Sequence, residues 1–277
     1  MNTIRLRAAS LVWEVPVPID RDLELPAGWE KTQAPPDIVV EGKDSAHVLL
    51  GEPAFDPGVL WRLWEQDNGY LLALAAPDSK APPFQTARMA PDICSGEVWL
   101  RNDLGSFLLR RPLDEIWISH WIGRHGGLLL HASAVAHEDV CDLCIGQSGA
   151  GKSTLAGLLT EVRGDALSDD RIVVRPVDGV WMAFGTPWHG TEVMRSAKSA
   201  RIRRLLFLEH GKKAQIERIS AAKAMGRLMV CSFGARWFRW GQQTMLDWGY
   251  RLVSEIPAFC LRFPLDSRMA DFLDETV

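Results

Sequence analysis

Eight consecutive residues carry the clearest chemistry in the chain: Gly146, Gln147, Ser148, Gly149, Ala150, Gly151, Lys152 and Ser153. They fit the pattern G-x-x-x-x-G-K-[ST] at every position. Glycines let a backbone bend around an anion with its N–H groups turned inward. A helix starting where the loop ends adds partial positive charge. In such a loop Lys152 reaches the β- and γ-phosphates of a nucleoside triphosphate, and the Ser153 hydroxyl binds Mg²⁺. Thr154 lies in the same first turn, one place too late for the metal. The ligands expected are ATP, or a close relative, and Mg²⁺. The context the pattern requires is present: Val140–Ile145 reads as a strand running into the loop, and residues 152–162 read as a helix leaving it.

A pair of carboxylates follows. Asp169 stands 17 residues after Lys152 (169 − 152) in the run Leu167-Ser168-Asp169-Asp170. That spacing leaves room for one helix and a return to the strand starting near Arg171, which is expected to be parallel. Two carboxylates at that strand's edge can share the work of phosphoryl transfer, one holding the metal and the other accepting a proton from an attacking hydroxyl. A solvated turn is the plain alternative. A rival acidic residue, Glu209, ends the apolar run Leu205–Leu208. His131 stands at a strand start, either as an edge residue or as a functional one. Arg195, Lys198, Arg201, Arg203 and Arg204 form a basic run that is either solvated or a clamp for phosphates. His189 sits in a loop where it could meet substrate or simply pack. Cys141 and Cys144 have redox or zinc half-site spacing, but they lie on the strand that feeds the loop and read as buried thiols. His120 and His125 read as helix cap or surface.

Around these residues the chain divides in two. Eleven of the sixteen prolines precede residue 112, and between them lie short runs with strand character: Leu11–Val15, Ile38–Val40, His47–Leu50, Tyr70–Ala75 and Glu97–Leu100. Residues 1–111 are therefore expected to form a β-rich module, with a short helix over Asp56–Glu65. Residues 112–277 are expected to form an α/β domain containing the glycine-rich loop. Its helix at about Pro112–Arg124 has acidic residues at its start and Gly126-Gly127 at its end. Strands follow at Leu128–Ala136, Arg171–Arg175, Val180–Phe184 and Leu205–Glu209, and helices at about Ser220–Leu228 and Gln242–Val253. Trp61 with Trp64, Trp117 with Trp121, and Trp237 with Trp240 are spaced as on helix faces. They serve either core packing or an aromatic groove for a partner.

Composition narrows the functions. With 47% hydrophobic residues, 24% charged and a net charge of −4, the chain reads as globular, and it lacks the basic excess of a nucleic-acid binder. No stretch approaches the roughly 20 apolar residues of a membrane helix. No signal peptide is read, and five unframed cysteines suit a reducing, cytoplasmic setting. No Asn-Lys-x-Asp segment points to guanine, and no Leu-Ser-Gly-Gly-Gln-like segment points to a transport ATPase.

Taken together, His131, the segment Ile145–Ser153 and Asp169-Asp170 resemble the HPr kinase/phosphorylase family, whose fold is shared with phosphoenolpyruvate carboxykinases. Phe184–Gly190 and Ile256–Phe263 resemble segments of HPr-kinase-related proteins found beside bacterial gene clusters for natural products and modified peptides, among them kinases of lasso-peptide precursors. The resemblance implies an HPr kinase/PEP carboxykinase-like domain. It implies Asp169 as the acid/base toward a serine hydroxyl, Asp170 and Ser153 at the metal, and Lys152 and His131 beside the phosphates. It makes a homo-oligomer one expectation. The family's glycine-rich signature with Glu and Arg is missing, so neither phosphorylase activity nor HPr as substrate is implied. The expected activity is ATP- and Mg²⁺-dependent transfer of the γ-phosphoryl group to a hydroxyl of a peptide, protein or small compound. A non-catalytic nucleotide-binding scaffold and a P-loop ATPase are the alternatives.

Overall fold

The computed structural model describes residues 2–17, 29–49, 51–76, 82–101, 108–109, 111–192, 194–234, 236, 238–264 and 269–276. Leu50 and Trp237, used in the sequence reading, lie outside the described residues. The fold is mixed α/β and forms two compact units, one chiefly Glu30–Arg124 with most of the N-terminal strands, the other chiefly His125–Val277. The division follows the first helix, whereas the sequence reading drew it before that helix, at 111/112.

The first unit contains β1 (Asn2–Ala8), β2 (Leu11–Val17), β3 (Glu30–Lys31), β4 (Ile38–Gly42), β5 (Trp61–Gln66), β6 (Gly69–Leu74), β7 (Gln85–Met89), β8 (Ser95–Leu100) and α1 (Leu113–His125). The strands form one sheet in the order β3-β1-β2-β4-β8-β7-β6-β5. The expected helix over Asp56–Glu65 is instead β5, the first arm of a hairpin with β6 in which Gln66 faces Gly69 across Asp67-Asn68. Turn residues and the β-favouring aromatics Trp61 and Trp64 outweighed the helical spacing. On a strand that spacing puts the two rings on opposite faces: Trp64 is buried, and Trp61 meets Phe55 at 5.3 Å. Residues 46–49 are not a strand; His47 hydrogen-bonds the Thr86 hydroxyl through its ring. In α1, Trp117 meets Trp13 edge-on at 5.7 Å and donates its indole N–H to the Ile93 carbonyl. His120 is not at the surface. It is fully buried and bonded to the Ile116 carbonyl, and burial lowers its pKa to about 4.

The second unit contains β9 (Leu128–His137), β10 (Val140–Ile145), α2 (Lys152–Arg163), β11 (Asp165–Ser168), β12 (Arg171–Val177), β13 (Val180–Phe184), β14 (Ser199–His210), β15 (Gln215–Arg218), α3 (Ala221–Val230), β16 (Ser232–Phe233), α4 (Arg239–Glu255), β17 (Ala258–Phe263) and α5 (Met269–Glu275). Strand order is β10-β9-β12-β13-β14-β17-β15, and a further β10–β14 pairing closes the first five strands into a ring. Alternation along β9 and β10 sends side chains to two cores. Leu130, Ala132, Leu143 and Ile145 join Leu228 of α3 and Leu252 of α4 on one face. Val135 and Cys144 join Leu155, Ala156 and Leu159 of α2 on the other. Cys141 and Cys144 are buried free thiols, as expected.

β14 is longer than expected because it takes in part of the basic run. Between Cys141 and Asp142 its pairing with β10 slips by one residue: Cys141 faces Ile202, and Asp142 faces Arg204. This bulge lets two successive arginines reach one carboxylate. Arg203 and Arg204 each bind Asp142 through two nitrogens at 2.9–3.0 Å. Arg204 also donates to the carbonyls of Leu273 and Thr276, which fixes the end of α5. Arg203 and Arg204 therefore brace the sheet and are not a phosphate clamp.

Burial opposes ionisation of Asp142, but the two arginines outweigh it and hold its carboxyl below the ordinary value of 3.8. A depressed native pKa contributes stability above the unfolded value and loses it as pH falls through the native one. Asp142→Asn leaves the buried Arg204 charge uncompensated and is expected to cost about 3–5 kcal/mol at neutral pH. Urea unfolding across a pH series should show the gap from wild type narrowing as the pH drops below 3.8.

Candidate nucleotide site

The parallel pairing of β10 with β14 delivers Ile145 to one edge of the sheet, where the chain leaves as the glycine-rich loop and returns as α2. The first N–H of the loop, on Gly146, donates to the His131 carbonyl of β9. Ala150 N–H closes a tight turn onto the Gln147 carbonyl at 3.1 Å. Gly149 and Gly151 have φ of +80° and +91°, which L side chains rarely adopt. Gly151 is the N-cap of α2 and brings no capping side chain, so this helix end turns backbone N–H groups toward whatever enters the loop.

Lys152 opens α2 and is only 5% exposed. Its ammonium donates to the Gln147 carbonyl at 3.0 Å. Burial lowers its pKa from 10.5, with Asp170, Cys231 and Asp169 pulling the other way. Burial thus outweighs the acidic groups nearby. A polyphosphate's charge would offset it, and the buried ammonium beside two left-handed glycines and the open start of α2 is the observation by which the residues fit a nucleotide. Ser133 on β9 ties down the start of α2, donating its hydroxyl to the Lys152 carbonyl at 3.2 Å.

The acidic pair sits in the turn between β11 and β12. Ser168 builds that turn. Its buried hydroxyl accepts the N–H groups of Asp170 and Arg171, both at 3.2 Å, and donates to the Trp188 carbonyl. β12 is antiparallel to both neighbours, β9 and β13, and not parallel as expected. The turn still brings the pair to the loop: the Ser153 hydroxyl donates to the Asp169 carbonyl at 3.4 Å. His131 stands inside β9 and not at its start, and its register partner is Arg171.

The two carboxylates differ. Asp169 is 0% exposed. Its Oδ1 accepts the Gly190 N–H at 2.8 Å and its Oδ2 the Glu192 N–H at 3.1 Å. It anchors the 186–192 segment, which Thr186 also ties down by donating to the Arg171 carbonyl. Asp170 has 17% of its side chain exposed. One of its oxygens lies 3.1 Å from His131 Nε2 and 2.7 Å from an Arg171 nitrogen. The Arg171 guanidinium in turn stacks 4.0 Å over the Phe233 ring. Ser168, Arg171 and Phe233 escaped the sequence reading; the Ser just before the acidic pair was the one local signal.

Two cavities flank the loop. One of about 420 Å³ is lined by His131, Lys152, Ser153, the acidic pair and Gly190. The other, about 430 Å³, lies between the loop, Phe207 and Leu208 of β14, and Arg227 and Cys231 in and just after α3. Among the described residues no set of three His, Cys, Asp or Glu side chains forms a metal site. Magnesium seldom needs one, because a carboxylate or hydroxyl plus substrate phosphates and water completes its shell. Ser153 and Asp170 are the residues at hand. The rival Glu209 does not line the cavity of the acidic pair, and one of its oxygens meets Arg227 at 2.6 Å and the other Arg262 at 2.9 Å. Burial works against its ionisation, and hydrogen bonds from Arg227, Cys260 and Arg262 outweigh it.

No known family model matches the chain, and no curated protein does. Among solved structures it is similar to the Hpr(Ser) kinase/phosphatase from Coxiella burnetii, with 13% identity and a TM-score of 0.30 over 53% of this chain and 91% of that one. So loose an overlap leaves the chain's own geometry as the ground for a functional reading. No helix among the described residues is long and apolar enough to cross a membrane.

A Cβ on Gly190 would stand 2.7 Å from Asp169 Oδ2. Gly190→Ala should therefore push the 186–192 segment off its anchor. Hydrogen exchange at residues 190 and 192 should quicken by about tenfold or more, as a loss of roughly 1–2 kcal/mol of local stability implies.

Proposed function

We propose that the chain is an ATP- and Mg²⁺-dependent phosphotransferase acting on a hydroxyl. The observation behind this is the buried Lys152 ammonium at the mouth of a glycine-rich strand-to-helix loop, lining one cavity with two carboxylates. In this reading the loop N–H groups and Lys152 bind the β- and γ-phosphates, and Ser153 and Asp170 hold the metal. Bound magnesium supplies charge neutralisation on the transferred group. Asp169 takes the proton from the acceptor hydroxyl. That oxygen then bonds to the γ-phosphorus as the bond to the bridging oxygen breaks, and ADP leaves. His131 helps to fix Asp170 beside the phosphates. The cavity between the loop and α3 takes the remainder of the nucleotide. The acceptor is a serine of a peptide or protein, or a small hydroxy compound, which agrees with the motif resemblance to HPr-kinase-related proteins. A homo-oligomer and a cytoplasmic setting belong to the same reading.

One observation favours a second reading, that of a scaffold that binds nucleotide without turning it over. Both oxygens of Asp169 already accept backbone N–H groups. A carboxylate has about four lone-pair sites, so Asp169 keeps capacity for a proton, but its first duty is to the loop it holds.

Calorimetry with MgATP is the first test. Wild type should bind, and Lys152→Ala should weaken binding by about 100-fold or more, on the scale of a lost charge-assisted contact. Incubation with labelled ATP and candidate acceptors, followed by mass spectrometry, tests transfer. Asp169→Asn should slow transfer by about 10²–10⁴-fold. A full rate in that variant removes the proton-acceptor role, and intact ATP with every acceptor favours the scaffold.

A further inference from the structure

Two strand ends grip the glycine-rich loop from the side opposite β9. β14 and β17 run parallel, and their last registered pair is His210 with Phe263. His210 Nε2 lies 2.8 Å from the Gly149 carbonyl oxygen. A carbonyl only accepts, so Nε2 carries the hydrogen. Phe263 lies against the loop's other left-handed glycine, its ring 3.0 Å from where a Cβ on Gly151 would stand. The two positive-φ residues that shape the loop are thus each met by one residue of the same strand pair. His210 also lines both cavities, the one beside the acidic pair and the one beside α3. No other histidine among the described residues does so.

From this geometry we infer that His210 is a positioning residue for polyphosphate binding, acting through the tip of the loop. A peptide unit is planar and trans, so fixing the Gly149 carbonyl also holds the Ala150 N–H in the turn it closes onto the Gln147 carbonyl. With the tip held in that turn, the loop's other N–H groups can meet an anion without first selecting one of several glycine conformations. His210 therefore removes part of the ordering cost of binding. The inference rests on the nucleotide reading above. It adds a residue from outside the glycine-rich motif, brought in by strand pairing 61 positions along the chain (210 − 149).

The test measures affinity for MgATP and for inorganic tripolyphosphate in the full chain, for wild type, His210→Ala and His210→Gln. The glutamine amide can still donate to a carbonyl. The alanine variant should bind both ligands about 3- to 10-fold more weakly, the scale of one lost hydrogen bond, with the melting temperature of the unliganded protein lowered by no more than about 4 °C. The glutamine variant should recover most of the loss for both. Alanine binding both ligands like wild type overturns the inference while leaving the nucleotide reading intact. So does a loss confined to ATP, which would assign His210 to the nucleoside, and so does a glutamine variant as weak as alanine. Wild type that binds neither ligand removes the nucleotide reading and this inference with it.

Discussion

The buried ammonium of Lys152 sits where the glycine-rich loop, α2 and the acidic turn of the second unit meet. Lys152 is sheltered by the start of α2 and by a loop carbonyl, and its nearest carboxylates belong to a turn with other obligations. Burial of that kind costs free energy unless an anion arrives. The surrounding architecture is what allows the arrangement. β10 and β14 run parallel, so that loop and strand ends share one edge, and Ser133 on β9 ties the start of α2 to that edge.

The acidic turn is the second half of the same construction. Ser168 shapes it from below, and its two carboxylates have been given separate work. Asp169 faces the 186–192 segment and receives two of its N–H groups. Asp170 faces the loop between His131 and Arg171. A carboxylate that also holds a wall of the cavity it lines links the shape of that wall to its own contacts. This is a physical reason for the fully buried position of Asp169.

The local parts of this arrangement were legible in the sequence. The glycine-rich loop, the strand before it and the helix after it are contiguous, and each follows from residue type and periodicity. The acidic pair was found because spacing alone limits what lies between it and Lys152. What escaped depends on pairing between distant segments. Neither the five-strand ring nor the antiparallel setting of β12 leaves a mark in periodicity, because both directions alternate with a period of two. The basic run looked like a surface or an anion clamp, since nothing near Arg203 or Arg204 announces that a bulge will set both on Asp142. His210 had no local signal at all. In the first unit, β5 was misread because two tryptophans three apart suit a helix face, while the turn at Asp67-Asn68 argued for a hairpin.

The bulge in β14 has a consequence at the far end of that strand. Arg203 is the extra residue, and every position beyond it is counted against β10 from that point. Were the strand unbulged, its later residues would arrive one step out of phase, displaced by about 3.3 Å and facing the opposite side of the sheet. His210 would then miss Gly149. The irregularity between Ile202 and Arg204 thus acts as a length gauge, matching the spacing of one strand to the mouth of a loop several residues away.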